Sequence, residues 1–363
     1  MGETARRTVL VAMSGGVDSS VAAALLVEQG HRVIGVTMKT FCYQETDGHG
    51  KQCCGLDGIL DAKRVADRLG IDHYVFDVER EFTRDVIDDF VQEYAAGRTP
   101  NPCVRCNGNT KFRDLLRRGQ MLGCDAIATG HYARMGLDAA GNAVLLRALD
   151  AAKDQSYFLW ALPPQMLPQL LFPLGELTKP QVREMARGLG LVTADKPESM
   201  EICFVPSGNY VDVLETRLDP AHPALAPGRL VTPDGEVLGE HDGYARYTVG
   251  QRKGLGGGHG RRLYVLGSRP DTREVVVGTE EQLHRGDVAI AELSWLVADP
   301  PMDGEAVQVQ IRHRGRAVGA RVSEHADGVL RLDLDEPQRA VTPGQSAVVF
   351  RGDVVLGGGR IAA

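Results

Sequence analysis

Two regions of this 363-residue chain carry residue types that do chemistry: a short loop near the N-terminus and a set of cysteines further on. Ser14-Gly15-Gly16-Val17-Asp18-Ser19-Ser20 follows an apolar run, Thr8–Met13, and leads into a helix-period segment that starts near Val17. Glycines let backbone approach a ligand, and a helix N-terminus offers unpaired N–H groups and the positive end of its dipole. The loop therefore suits an anion, with phosphate the obvious occupant. A simple cap and tight turn would need fewer special residues. The loop lacks the Gly-Lys-Ser/Thr ending of the ordinary NTP-binding P-loop and has no lysine of its own to reach a γ-phosphate.

Cys103-Val104-Arg105-Cys106 comes directly after Gly97-Arg98-Thr99-Pro100-Asn101-Pro102, whose two prolines force an extended, rigid approach. A single CxxC serves redox pairs, zinc ribbons and iron–sulfur sites alike, and no second one occurs. Cys203 lies in Glu198-Ser199-Met200-Glu201-Ile202-Cys203-Phe204, where a buried inert thiol is the plain reading. Beside a loop that served to activate a carbon with ATP, a persulfide on a mobile cysteine would be the natural sulfur donor. Cys42, Cys53, Cys54 and Cys124 read as local packing or strand residues.

These residues need a frame that gathers the ends of several strands. Helix-period segments Val17–Gln29 and Leu56–Leu69 alternate with short apolar runs Thr8–Met13, Val33–Met38 and Tyr74–Asp77. That rhythm predicts βαβ units and hence an α/β fold with an N-terminal doubly wound parallel sheet. A further strand, Ala126–Thr129, ends at Gly130-His131-Tyr132. Ligands of such sheets sit at the carboxyl ends of the strands, so the residues after Met13, Met38 and Thr129 are expected to face one crevice. From about Gly208 helical periodicity fades and Gly and Pro become frequent, as in Pro220–Gly228 and Gly254–Gly260. Leu263–Leu266 and Val275–Val277 read as strands of a small mixed or β-rich unit. After about Leu283 come evenly spaced apolar runs, Val307–Ile311, Ala317–Val322, Val329–Leu334, Ser346–Phe350 and Val354–Leu356. A small β-barrel would close them without an exposed edge. The expected domains are thus 1–208, 209–282 and 283–363.

Composition narrows the class. A hydrophobic fraction of 43% and a charged fraction of 25% are those of an ordinary globular protein. No run of about 18 apolar residues is present to span a bilayer, and Met1–Arg7 passes into a five-residue apolar run that glycines end at once, so neither membrane nor secretion is expected. Seven unevenly spaced cysteines argue against a disulfide framework and for thiol or metal chemistry in the cytoplasm. The net charge of −7 argues against nonspecific coating of nucleic acid. Local basic stretches remain: Arg98, Arg105, Lys111, Arg113, Arg117 and Arg118, then Arg312, Arg314, Arg316 and Arg321. Each is equally readable as a solvated face.

The Ser14–Ser20 loop resembles the pyrophosphate loop of the N-type ATP pyrophosphatases, which have an adenine nucleotide α hydrolase-like fold, adenylate a carbonyl oxygen and release pyrophosphate. By that resemblance Ser14, Gly15, Gly16, Asp18 and Ser19 hold the phosphates, with Asp18 a Mg²⁺ ligand, since hard cations prefer carboxylate oxygen. A wider likeness runs through Ser14–Ser20, Arg98–Phe112, Gly130–Arg134, Lys153–Leu159, Lys196–Phe204, Tyr247–Leu255 and Thr342–Gln345. In order and interval, over nearly the whole chain, these segments resemble those of the bacterial tRNA-specific 2-thiouridylases. The resemblance implies Cys106 as nucleophile and Cys203 as persulfide carrier. It implies ATP contacts at Ala12, Met13, Ser14, Gly15, Gly16, Val17, Asp18, Ser19, Met38 and Gly130. The target base would meet Asn101, Pro102 and Cys103, and the tRNA would meet His131, Lys153, Asp154, Gln155, Arg312, His313 and Gln345. The implied partners are tRNAs of the Lys, Glu and Gln type, through the wobble uridine of the anticodon, and a sulfur-carrier protein fed by a cysteine desulfurase.

Some family members have Asp where this chain has Cys103. Cys103, Cys106 and Cys203 could then hold three irons of a [4Fe–4S] cluster, leaving the fourth for hydrosulfide, so persulfide relay and cluster-borne sulfide are both open. Tyr132 and Phe112 are stacking candidates for splayed anticodon bases, with core packing the plainer reading of each. Two other functions stay in view. An ATP pyrophosphatase that amidates or ligates a small metabolite would need a glutaminase or another ammonia source, and none is evident. A nucleotide-sensing RNA-binding protein without turnover would tolerate loss of Cys106 and Cys203.

Overall fold

The computed structural model describes residues 6–40, 54–197, 202–205, 208–256 and 262–363, with the backbone alone at 54 and 55. Cys42, Cys53, Glu198–Glu201 and the end of Gly254–Gly260 lie outside the described residues. The chain divides into two compact units: Met1–Asp85, Val104–Met200 and Asp353–Val355 form the first, and Val86–Cys103, Glu201–Gly352 and Leu356–Ala363 the second.

In the first unit β1 (Thr8–Ala12), β2 (Arg32–Lys39), β3 (Asp72–Asp77) and β4 (Ala126–Ala128) are the anticipated strands. A hairpin of β5 (Arg134–Leu137) and β6 (Ala143–Leu146) follows, then the two-residue β7 (Leu170–Leu171). The main sheet runs β3-β2-β1-β4-β7 and every pairing in it is parallel. Central β1 is sealed, with Val9, Leu10 and Val11 at 0% exposure. That explains its unbroken apolar run, because strands covered on both faces cannot alternate. Strand order turns at β1, with β2 on one side and β4 on the other, and this switch point is where an open α/β sheet leaves a crevice. The helix Val17–Glu28 packs Val17, Val21, Ala22 and Ala23 into the same core as Val182 and Ala186 of the helix Lys179–Gly188.

In the second unit a four-stranded mixed sheet has the order β10-β11-β8-β9, made of β8 (Gly228–Val231), β9 (Val237–His241), β10 (Tyr264–Arg269) and β11 (Glu274–Gly278). The barrel follows: β12 (His284–Trp295), β13 (Ala306–Gln310), β14 (Val318–Ala326), β15 (Val329–Arg339), β16 (Ser346–Arg351) and β17 (Val354–Ile361). Its order is β12-β15-β14-β13-β16-β17, and β17 pairs back onto β12 through Ile361 with Ile290 and Arg360 with Ala291, which closes it.

The segment Val86–Cys103 folds with this second unit. Its helix Asp88–Ala95 sets Phe90 edge-on to Phe204, with centroids 5.1 Å apart, and stacks Tyr94 on Tyr210 at 4.4 Å. Buried Glu93 accepts from Arg98 and Arg360, and Arg360 also pairs with Asp89. Two guanidiniums thus offset the two carboxylates that burial would otherwise penalise.

Candidate functional site

The Ser14–Ser20 loop begins one residue past Met13, beyond the carboxyl end of β1. Gly16 caps the helix Val17–Glu28, and its carbonyl accepts from Ser19 Oγ at 3.2 Å and Ser20 Oγ at 2.8 Å, while the Ser14 amide donates to Ser19 Oγ at 3.1 Å. The serines therefore brace the loop, and the first-turn amides stay turned outward as any helix start leaves them. Gly15 has φ +72°, and a Cβ there would stand 2.2 Å from the Gly58 carbonyl oxygen, so no other residue fits. A Cβ on Gly130 would stand 2.6 Å from the Ser19 nitrogen, so the end of β4 lies directly against the loop. Thr37 Oγ1 donates to the Met13 carbonyl at 2.7 Å, joining β2 to the same place, with Met38 half-buried beside it. β1 pairs with both β2 and β4, and the end of β4 lies against the loop that follows β1.

Two lysines that sequence reasoning missed close on this loop from far along the chain. Lys179 Nζ donates to both Asp18 oxygens at 2.7 Å, and Tyr132 Oη donates to Asp18 Oδ1 at 2.8 Å. Lys196 Nζ donates to the Gly15 carbonyl at 3.0 Å and to Asp61 at 2.7 Å, which holds the Asp61 carboxyl below its ordinary range. Lys179 is only 7% exposed and directly follows Thr178, the cap of its helix. Tyr132 is 2% exposed and Phe112 0%, so neither is presented for stacking on a base. With Lys179 seated on both oxygens, a Mg²⁺ ion at Asp18 would face a competing cation, and the pair does not fit such a site. Magnesium is better held by phosphate oxygens and water, as it commonly is.

Cys106 opens a π-helical turn, Cys106–Lys111, leading into the helix Phe112–Met121. Such turns are uncommon and cluster at functional sites. Gly108 permits it, since a Cβ there would lie 2.8 Å from the Ala161 carbonyl oxygen. Desolvation pushes the Cys106 thiol up, with the Lys111 charge opposing. Cys103 and Cys203 are exposed, and Cys124 is half-buried in the turn before β4 rather than in a strand. Among the described residues no three His, Cys, Asp or Glu side chains form a group able to hold a metal ion.

His131 donates to or accepts from Thr129 Oγ1 at 2.7 Å through Nδ1, and its ring lies 5.8 Å from that of Phe112 and 6.3 Å from that of Phe172. Desolvation lowers its pKa to about 3, so the folded ring stays neutral. An unfolded chain protonates this histidine below about pH 6.5, so it then binds a proton that the native state refuses. Stability is expected to be full above that pH and to fall progressively as pH drops toward 3. Urea midpoints at neutral and mildly acid pH should differ less in His131→Gln than in wild type; equal differences would place the acid sensitivity elsewhere.

The segments expected to meet RNA are partly committed to the protein itself. Asp154 accepts from the Ala148 and Ser156 amides and from Ser156 Oγ, and Gln155 Oε1 accepts from the Tyr132 amide at 3.0 Å. Gln345 Nε2 donates to the Thr99 and Pro100 carbonyls at 3.0 and 2.8 Å, which anchors the chain just before Asn101 and Pro102. Arg98, Arg117 and Arg118 pair with Glu93 and Asp114. Arg312, His313, Arg314 and Arg316 are exposed on the connection between β13 and β14, with Arg314 in the left-handed region at φ 61°.

A parallel α/β sheet with a braced anion loop at its switch point, followed by a small mixed sheet and a closed barrel, defines a nucleotide-binding α/β protein with appended β modules. Family profiles agree: the tRNA methyl transferase HUP domain matches residues 7–207, the tRNA methyl transferase PRC-barrel domain 216–279 and the aminomethyltransferase beta-barrel domain 285–361. The chain is 51% identical to the tRNA-specific 2-thiouridylase MnmA of Rhodospirillum centenum, over 97% of this chain and 91% of the relative. It is 48% identical to the protein of the same name from Geobacter metallireducens, over 100% and 99%. This chain belongs to the tRNA-specific 2-thiouridylase family. A solved structure of the U34-tRNA thiolase NcsA from Methanococcus maripaludis with its [4Fe-4S] cluster is similar at 20% identity and a TM-score of 0.37, over 60% of this chain and 69% of that one. Among the described residues no helix is long and apolar enough to cross a membrane.

Proposed function

We propose that this protein is a tRNA-uridine 2-sulfurtransferase of the cytoplasm, acting on the wobble uridine of Lys-, Glu- and Gln-type tRNAs. ATP, carrying Mg²⁺ on its phosphates, adenylates O2 of the uracil and pyrophosphate leaves. A sulfur carrier fed by a cysteine desulfurase loads Cys203 as a persulfide. Its terminal sulfur attacks C2, and AMP departs with the former O2. Cys106 then attacks the sulfur of Cys203, which forms a Cys106–Cys203 disulfide and releases 2-thiouridine, and external thiol returns both cysteines to the reduced state. The phosphates lie on Ser14–Ser19, with Ala12, Met38 and Gly130 beside the nucleotide, while Asn101, Pro102 and Cys103 flank the base. On this reading 1–208 is the catalytic domain, 209–282 a small central mixed or β-rich domain and 283–363 the tRNA-contacting barrel.

The observation that carries this reading is the anion loop at the sheet switch point, which lacks a lysine of its own and is gripped by Lys179 and Lys196, in a chain related to 2-thiouridylases over its whole length. The exposed Arg312, Arg314 and Arg316 connection supports RNA contact through phosphates. An unmodified tRNA transcript with a wobble uridine, incubated with the protein, ATP, Mg²⁺ and a persulfide source, should yield 2-thiouridine on nucleoside mass spectrometry together with stoichiometric pyrophosphate. Pyrophosphate without 2-thiouridine, traced instead to an amidated small molecule, would favour the metabolite-ligating alternative.

A further inference from the structure

The two groups that grip Asp18 are both tied to one turn, Asp150–Gln155. At one end of it the Asp150 carboxylate accepts from the Lys179 amide at 3.0 Å, and thereby holds the first residue of the helix Lys179–Gly188. At the other end the Gln155 amide donates to the Tyr132 carbonyl at 2.8 Å and Gln155 Oε1 accepts from the Tyr132 amide at 3.0 Å. Inside the turn, the Lys153 amide donates to the Asp150 carbonyl at 2.9 Å and the Ala152 amide to Asp150 Oδ1 at 3.1 Å, which closes its first four residues, and Gln155 follows only two residues after Lys153. Lys179 and Tyr132 then converge on a single carboxylate, with Lys179 Nζ also 5.7 Å from the centre of the Tyr132 ring. The turn is therefore bonded to the backbones of both residues that hold Asp18, and their side chains are buried and make charge-assisted bonds to it.

We propose that the Asp150–Gln155 turn, acting through Tyr132 and Lys179, is the device that makes pyrophosphate release depend on bound tRNA. The inference rests on the reading above, in which Lys153, Asp154 and Gln155 face the tRNA and Asp18 belongs to the phosphate loop. Tyr132 is a positioning residue: its hydroxyl sets the direction of the Asp18 carboxylate and takes no part in bond making. Binding of RNA at the turn shifts or fixes its two ends, and Tyr132 and Lys179 pass that change to the loop over which the triphosphate lies. Bound tRNA is thereby read out at the nucleotide.

The test compares tRNA stimulation, the ratio of pyrophosphate release with and without tRNA, in wild type, Tyr132→Phe and Gln155→Leu, with tRNA affinity measured on the same samples by filter binding. Tyr132→Phe keeps the ring in place and deletes one charge-assisted hydrogen bond. Stimulation should fall roughly tenfold, with the loss in kcat rather than in the KM for tRNA. Gln155→Leu, which deletes the side-chain bond to the Tyr132 amide but keeps the bond from its own backbone amide to the Tyr132 carbonyl, should lower the same ratio. Equal proportional loss with and without tRNA would reduce Tyr132 to a general support and overturn the coupling, as would an unchanged ratio in both variants. A wild type that forms no pyrophosphate and no 2-thiouridine would instead remove the proposed activity itself, and that failure is recognisable before any variant is made.

Discussion

Asp18→Asn is expected to lower tRNA-dependent pyrophosphate release by on the order of a hundredfold or more, with tRNA binding retained. The carboxylate holds Lys179 Nζ on both oxygens at 2.7 Å and accepts the Tyr132 hydroxyl as well. An amide can accept from Lys179 but cannot balance its charge, and the ammonium, the buried member of this partly exposed pair, is left uncompensated. The ammonium would then turn toward the loop and its phosphates in an unproductive geometry. Lys179→Gln should lose release for the complementary reason, and the double variant Asp18→Asn with Lys179→Gln should be less impaired than the sum of the two, since the pair acts as a unit. Release at the wild-type rate in Asp18→Asn would take the adenylation step out of this account. The exposed arginines of the β13–β14 connection belong to the other unit, which is why RNA affinity serves as the internal control.

Cys106→Ser and Cys203→Ser should each bring 2-thiouridine to background while pyrophosphate is still released at first turnover, because activation precedes the thiol steps. Wild-type thiolation limited by Cys106 should climb with pH, since burial pushes that thiol up and only the thiolate attacks sulfur. Cys103 separates the two sulfur routes that the sequence leaves open. In the persulfide route Cys103→Asp keeps much of the activity with no iron present, because the residue only flanks the base. In the cluster route it removes one of three soft ligands, and a carboxylate is a poor replacement, so iron and activity should fall together. Wild-type protein that is active only when it holds about four irons would sink the relay.

Much of the frame is legible from residue patterns. β1, β2 and β4 agree with the apolar runs to within a residue or so, because strands buried on both faces write themselves as continuous hydrophobic stretches. β3 extends to Asp72, two residues earlier than its run suggests, because it is an edge strand with Tyr74 and Val75 exposed. In the barrel β12 escapes notice: it mixes charged residues with Val288 and Ile290 and shows a weak alternation. β17 runs on through Gly357-Gly358-Gly359, where glycines would ordinarily end a strand. They are needed there for close pairing, since Cβ atoms on Gly357 and Gly359 would come within 2.2 and 2.3 Å of β12 carbonyl oxygens. In the candidate site the loop is local and readable. Lys179, Lys196 and the Tyr132 hydroxyl are not, because each reaches the loop from more than a hundred residues away and nothing nearby in sequence announces the contact.

The anchoring of Thr99 and Pro100 also bears on how this protein can be recombined. Gln345 holds both carbonyls, the Thr99 amide donates to Pro343, and Gly344, at φ +90°, has no room for a side chain against Thr99. The barrel is thus not an exchangeable cassette joined at residue 283. A chimera spliced there with a foreign barrel inherits the Pro100–Cys103 stretch without its tether, so the donor sequence must bring its own Pro-Gly-Gln, or Val86–Cys103 must travel with it as a second, non-contiguous insert.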